Sequence, residues 1–220
     1  MSLTRYHFRQ AVSAFFEMSS DAARELLPRH LEPLELRHSR GVFAVTAFDF
    51  TDSMVGSYHE IVLAIISPPL MKAGSDMPKS AFYPFLVGTS TRESREHAIE
   101  RWHLPHYMSD IGMSFDESAG RIQVRVFEAK KPILDLTVTD HAWSSVDHLY
   151  QAFMVDESRR FKADIHMEGS FAEHEEEKGE LVLHDHPMCE HILDADIESY
   201  PFRELWMKDG VQTFEKLEII

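Results

Sequence analysis

Two stretches, residues 42–50 (VFAVTAFDF) and 58–66 (YHEIVLAII), carry apolar side chains on both faces of an extended chain. Successive side chains of a strand point to opposite sides, so such stretches have almost no face to offer to water and belong at the centre of a sheet that is covered twice. Turn residues bound them: Asp52-Ser53 and Val55-Gly56 lie between the two, and Pro68-Pro69 follow the second. Both read as buried central strands.

Further strands show a simpler pattern. Ile122, Val124 and Val126 alternate with Gln123 and Arg125, and Leu134, Leu136 and Val138 repeat the alternation after Lys130-Lys131-Pro132. Each set places three aliphatic side chains on one sheet face. Residues 150–156, 161–172 and 180–184 read as a strand meander with charged turns, and the acidic run 173–180 reads as a solvated turn. Helix signals are few. Ser19-Ser20-Asp21 supplies a cap and an early carboxylate for a short helix over residues 22–27, ended by Pro28. Residues 91–102 contain neither proline nor glycine and predict a second helix that Pro105 terminates. Pro187 permits a third to begin there. Many strands with few helices predict an α+β, mainly β chain: an antiparallel sheet curled into a barrel, with a few peripheral helices. No linker or composition break divides the 220 residues, so one domain over residues 1–220 is expected.

The formal net charge of -15 repels phosphate backbones and anionic headgroups, which argues against nucleic acid and membrane surfaces as partners. The longest apolar run, residues 61–66, is far short of the roughly 20 residues needed to span a bilayer. A single cysteine, Cys189, and no leader pattern at the N-terminus fit a reducing, cytoplasmic setting.

Candidate chemistry is sparse. His103 and His106 form one histidine group; His184, His186, Cys189 and His191 form another, yet the H-E-x-x-H spacing is absent and no third ligand stands out. No metal site is expected. Nucleophile elbows, C-x-x-C pairs and glycine-rich phosphate loops are missing, so no cofactor is expected either, and Cys189 reads as inert. Glu60 is the informative residue: a carboxyl entering a strongly apolar strand either sits at the strand end in water or faces a polar spot inside the barrel.

Several short motifs occur in a telling order along nearly the whole chain: Leu26-Leu27-Pro28, Leu31-Glu32-Pro33-Leu34-Glu35-Leu36, Gly56-Ser57-Tyr58-His59-Glu60, Trp102-His103-Leu104-Pro105, the strands around Val124 and Leu136, and Asp185-His186-Pro187-Met188. Together they resemble the acetoacetate decarboxylase-like superfamily. The resemblance implies a cone-shaped antiparallel β-barrel around a buried apolar cavity, a homo-oligomer, and a small organic acid or related carbonyl compound as ligand. It further implies a lysine directly after the proline matched by Pro105, which forms a Schiff base with a β-keto acid and is activated by desolvation or a cationic neighbour. Here the family's Pro-Lys-Lys is replaced by Pro105-His106-Tyr107. Neither imidazole nor phenol can form the iminium. Lys130 and Lys131 sit at a strand connection, and Lys72 and Lys79 in a loop.

The expected function is therefore acid/base chemistry on a small oxo- or hydroxy-acid without a Schiff base. His106, Tyr107 and Glu60 are the candidate catalytic groups. By the resemblance Arg9 would anchor a carboxylate, with Tyr58 and His103 as further ligand contacts. The alternative is a non-catalytic small-molecule-binding or sensing protein that uses the barrel cavity.

Overall fold

The computed structural model describes residues 3–220. In chain order it forms β1 (Thr4–Ser19), α1 (Ser20–Leu26), β2 (Arg40–Asp52), β3 (Tyr58–Ser67), β4 (Ala81–Thr89), α2 (Arg92–Trp102), β5 (Gly112–Ser118), β6 (Arg121–Glu128), β7 (Lys131–Thr139), β8 (Ser144–Asp156), β9 (Arg159–His174), β10 (Glu180–Leu183), β11 (Arg203–Phe214) and β12 (Glu218–Ile219). Strands β11-β1-β2-β3-β4-β8-β9 run side by side, and pairing of β9 with β11 closes them into a barrel. β12 adds to the outer end of β9. A second sheet, ordered β10-β7-β6-β5, packs against the outside. The barrel pairs are antiparallel except β4–β8, which run parallel through Ala81↔Gln151 and Phe82↔Ala152. Among the described residues no helix is long and apolar enough to cross a membrane.

This two-layer arrangement accounts for the strands that are apolar on both faces. Phe43, Val45 and Ala47 of β2 and Ile61, Leu63 and Ile65 of β3 face outward, into a core shared with Ile122, Val124 and Val126 of β6 and Leu134, Leu136 and Val138 of β7. The intervening Ala44, Phe48 and Phe50 of β2 and Tyr58 and Ile66 of β3 face into the barrel. One face builds the sandwich and the other lines the chamber.

In β1 the inward set changes parity. Tyr6 and Phe8 face the interior, and then so do Ala11 and Phe15. The pairing with β2 is irregular between His7 and Gln10, a β-bulge that absorbs the odd residue and throws Arg9 outward. In β11 the pairing with β9 shifts between Lys208 and Val211. Gly210 is obligatory there, because a Cβ would lie 2.4 Å from both the Phe8 ring and the Glu168 carbonyl oxygen.

Helix α2 begins at Thr91, whose hydroxyl accepts the Ser94 N–H, and ends at His103 in the left-handed region (φ 54°). The chain then turns back onto β4: the Val87 N–H donates to the Pro105 carbonyl (2.9 Å) and the Tyr107 N–H to the Val87 carbonyl (2.8 Å).

Two sequence expectations change. The run 173–180 is only partly solvated: β9 continues to a buried His174, and the N–H groups of Lys178 and Gly179 point inward to the Glu204 carboxylate. A buried carboxylate needs donors, and this turn provides them. After Pro187 the helix amounts to one 3₁₀ turn, Pro187–Cys189, capped by the His186 ring, which accepts the Met188 N–H.

Candidate active site in the barrel interior

The barrel encloses a cavity of about 100 Å³. Its wall is mostly apolar, with Phe48, Phe82, Trp102, Tyr150, Met207 and Phe214 contributing much of the bulk. The polar side chains on it are Ser13 of β1, Thr46 of β2, Glu60 of β3 and Gln212 of β11, together with the Tyr150 hydroxyl of β8. Ser13 and Thr46 face one another across the β1–β2 ladder and hydrogen bond to each other. They satisfy themselves.

Glu60 is different. It lies opposite Phe48 on one side and Thr89 on the other, and is 9 % exposed. Among the described residues its carboxyl has neither an ion-pair partner nor a side-chain hydrogen bond, and burial alone pushes its pKa up to about 8 from an ordinary 4.5. Of the sequence alternatives for Glu60, the interior one is observed. The titratable groups beside it are Tyr6 and Tyr58. Burial, with the Glu60 charge as a lesser cause, raises both phenols, so both are neutral when Glu60 ionises. The Trp102 Nε1–H donates to the Tyr6 hydroxyl (2.7 Å), and that hydroxyl lies 2.7 Å from His97 Nε2. The Tyr6 hydroxyl thus bridges the indole of Trp102 and the imidazole of His97. Burial, with the Arg101 charge second, lowers the His97 pKa and favours the neutral ring. Below Glu60 the rings form a dense floor: Phe48 stacks on Phe50 at 4.8 Å, Tyr58 lies 4.9 Å from Phe50, and Trp102 lies 4.5 Å from Phe214.

The other sequence-derived candidates fall in different places. Tyr58 is buried in the interior two residues before Glu60, behind the cavity wall and packed in the aromatic floor. Arg9, placed outside by the β1 bulge, is 66 % exposed and pairs with Asp49 at 3.4 Å. It cannot anchor a ligand in the chamber from there. His103, turned away by its left-handed backbone, stacks on Phe161 at 4.6 Å with Nδ1 3.5 Å from Asp156, while its neighbours Trp102 and Leu104 take the places on the cavity wall. His106 forms a parallel bridge with cavity-lining Val87 but is not itself part of the wall. Its Nε2 is buried without a partner, and burial, reinforced by the Arg95 charge, lowers its pKa to about 4. Tyr107 packs against the sandwich core, where its hydroxyl donates to Glu128 (2.8 Å) beside His186.

Within the wall as described there is no lysine. Lys79 lies with its Nζ 5.4 Å over the ring of cavity-lining Phe171, but it is paired with Glu173 at 2.7 Å. Lys72 pairs with Glu218 and Lys162 with Asp164, and Lys130 and Lys131 are exposed. Cys189 is buried against the Ile133 carbonyl, and desolvation raises its thiol pKa to about 11. The polar groups in or behind the chamber that the sequence did not single out are Ser13, Thr46, Tyr150, Gln212 and Tyr6; those on β1 and β11 lie on strands whose bulges disguise the alternation.

Comparison with known proteins agrees with this geometry. The family model described as acetoacetate decarboxylase matches residues 2–157. No curated protein matches the sequence. Among solved structures, the enduracididine biosynthesis enzyme MppR with bound HEPES superposes with a TM-score of 0.70 at 12% identity, covering 100% of this chain and 88% of that one. Acetoacetate decarboxylase from Legionella pneumophila gives 0.69 at 13% identity, covering 100% and 87%. An acetoacetate decarboxylase-like enzyme from Sphingomonas wittichii gives 0.64 at 11% identity, covering 100% and 92%. These likenesses establish the shared fold, and the family match, which spans well over half the sequence, places the chain in the acetoacetate decarboxylase family.

Proposed function

We propose that this protein performs acid/base chemistry on a small carbonyl compound held in the barrel cavity, with Glu60 as the proton-transferring group and without a Schiff base. The observation that carries this reading is an unpaired Glu60 carboxyl on an apolar wall, with a pKa raised to about 8. A group whose pKa lies near working pH is an effective proton donor and acceptor, because both forms are populated and neither is a weak reagent. No lysine is among the described wall residues, which supports chemistry that does not pass through an imine.

The simplest reaction this supports is enolisation. Ionised Glu60 removes a proton from the carbon next to the carbonyl; the C–H electron pair passes into the carbonyl system and the negative charge settles on oxygen. The same carboxyl then returns a proton to carbon or oxygen. Gln212 offers an amide on the same wall, and the closed aromatic surroundings exclude water from the intermediate. Dehydration of a β-hydroxy carbonyl compound begins with the same step. A second reading, a non-catalytic small-molecule binder, is favoured by one observation: among the described wall residues Glu60 is the only carboxyl, so none of them divides acid and base roles with it.

The test is deuterium exchange at the α-carbon of a panel of ketones and oxo-acids in heavy water, followed by NMR. Exchange that rises with pH towards a plateau above about 8 and falls at least about 100-fold in Glu60→Gln supports the proposal. Absence of exchange with a ligand shown to bind leaves the binder. A borohydride-trapped adduct on any lysine would overturn the imine-free chemistry.

A further inference from the structure

We infer that the cavity selects uncharged carbonyl compounds with an apolar body and rejects carboxylates. This deepens the proposed function, since it names the substrate class of the same chamber. It stands on the placement of charge around that chamber.

No lysine, arginine or histidine contributes to the described wall. The cations around it are engaged elsewhere. Arg9 faces solvent and Asp49; Lys79 is held by Glu173; Arg95 is held by Asp110 at 2.6 Å; Arg101 is exposed, stacks over Trp102 and bonds to the Thr4 hydroxyl. A carboxylate entering the chamber would leave water without a counter-ion, beside a carboxyl that must itself ionise in order to act as a base. Two negative charges in so apolar a space would keep Glu60 protonated and idle. A neutral ketone meets the opposite situation. Its body replaces water against Phe48, Phe82, Trp102 and Met207, and its oxygen can accept a hydrogen bond from protonated Glu60 or from the Gln212 amide. The titratable groups nearest the acid, Tyr6 on β1 and Tyr58 on β3, supply no charge, nor does neutral His97 behind them on α2. Size points the same way. An engineered cavity of roughly 150 Å³ holds benzene, so about 100 Å³ takes a body of that order or slightly smaller.

The experiment compares two probes with equal numbers of non-hydrogen atoms, cyclopentanone and pyruvate. Their affinities for the full chain are measured by ligand-observed NMR titration at pH 6.5 and pH 9, for wild type, Glu60→Gln and Glu60→Ala. Cyclopentanone should bind at least tenfold more tightly than pyruvate at pH 6.5. Its affinity should fall several-fold at pH 9 as Glu60 loses its proton, become independent of pH in Glu60→Gln, and drop about tenfold in Glu60→Ala. Circular dichroism of each variant confirms that it is folded, and the Trp102 indole N–H shift reports whether the ketone occupies this chamber. Pyruvate binding within tenfold of cyclopentanone, no saturable ketone binding, or saturation that leaves the Trp102 resonance unmoved would each overturn the inference. The two ideas fail separately. Glu60-dependent exchange on pyruvate would sink the substrate class and keep the chemistry, whereas a bound ketone that never exchanges would do the reverse.

Discussion

Glu60 and Glu204 are both buried glutamates on barrel strands, and they are treated in opposite ways. Glu204 is 0 % exposed, yet its carboxylate accepts the N–H groups of Thr139 (2.7 Å), Lys178 (2.9 Å) and Gly179 (2.7 Å) and the Thr139 hydroxyl (3.0 Å), with His174 Nε2 at 3.6 Å. The Glu176 N–H donates to His174 Nδ1, so the His174 proton sits on Nε2, where it faces the Thr139 carbonyl and the Glu204 side. The donors come from β7 and from the turn between β9 and β10, and one carboxylate on β11 ties those three parts of the chain together. Glu60 has none of this. A buried carboxyl surrounded by donors is a rivet, and one left without them is a reagent, because its proton affinity has been raised at the expense of stability.

That contrast can be broken by experiment. The largest effect should come from Glu204→Ala, which takes the acceptor from four neutral donors, that of Gly179 fully buried, and should cost about 3 kcal/mol in denaturant unfolding; a loss below about 1 kcal/mol would remove its structural role. Glu60→Gln should lower any turnover by at least about 100-fold, with little loss of stability at pH 8. The sign of its pH dependence follows from the raised pKa. Between about 4.5 and about 8 the unfolded chain releases the Glu60 proton and the folded chain keeps it. The stabilisation is thus fully present below 4.5 and is lost as pH rises through about 8, with a slope of at most about 1.4 kcal/mol per pH unit. Wild type minus Glu60→Gln stability should show this fall, and a flat difference would mean that Glu60 is solvated or paired. His106→Leu should change stability by less than about 1 kcal/mol, since it removes an unpartnered nitrogen and no strong hydrogen bond; a large loss of turnover would bring the ring back into the chemistry. Arg9→Ala should be nearly silent, within about 0.5 kcal/mol and without effect on ligand affinity, as expected for an exposed pair.

The sequence reveals β2 and β3 because their apolar pattern has a single physical solution, a strand covered on both faces. It reveals Glu60 because a carboxyl in such a strand demands an explanation. β1 and β11 are harder. In β11 the pairing shifts inside the strand, where Asp209 takes φ 47° at a bulge and Gly210 makes room for Phe8. The β1 bulge similarly moves Arg9 outside while keeping Tyr6 and Ala11 inside. For residues 102–107 the residue types are visible but their directions are not. Those depend on the left-handed cap at His103 and the later bridge to Val87, so Trp102 and Leu104 enter the chamber and His103 and Tyr107 leave it.

The parallel contact of β4 with β8 spans only two residue pairs, whereas the other neighbouring strands of the barrel share much longer ladders. Phe82 and Ala152, which form one of those pairs, stand directly on the chamber wall. The Lys79 N–H, which donates to the Leu149 carbonyl (2.7 Å), and the Gln151 side chain, which bonds to both the N–H and the carbonyl of Leu70 (2.9 and 3.1 Å), carry the contact beyond those two pairs. The stretch leading into β4 thus fastens the two ends of the antiparallel run, where a long ladder does so at every other seam of the wall.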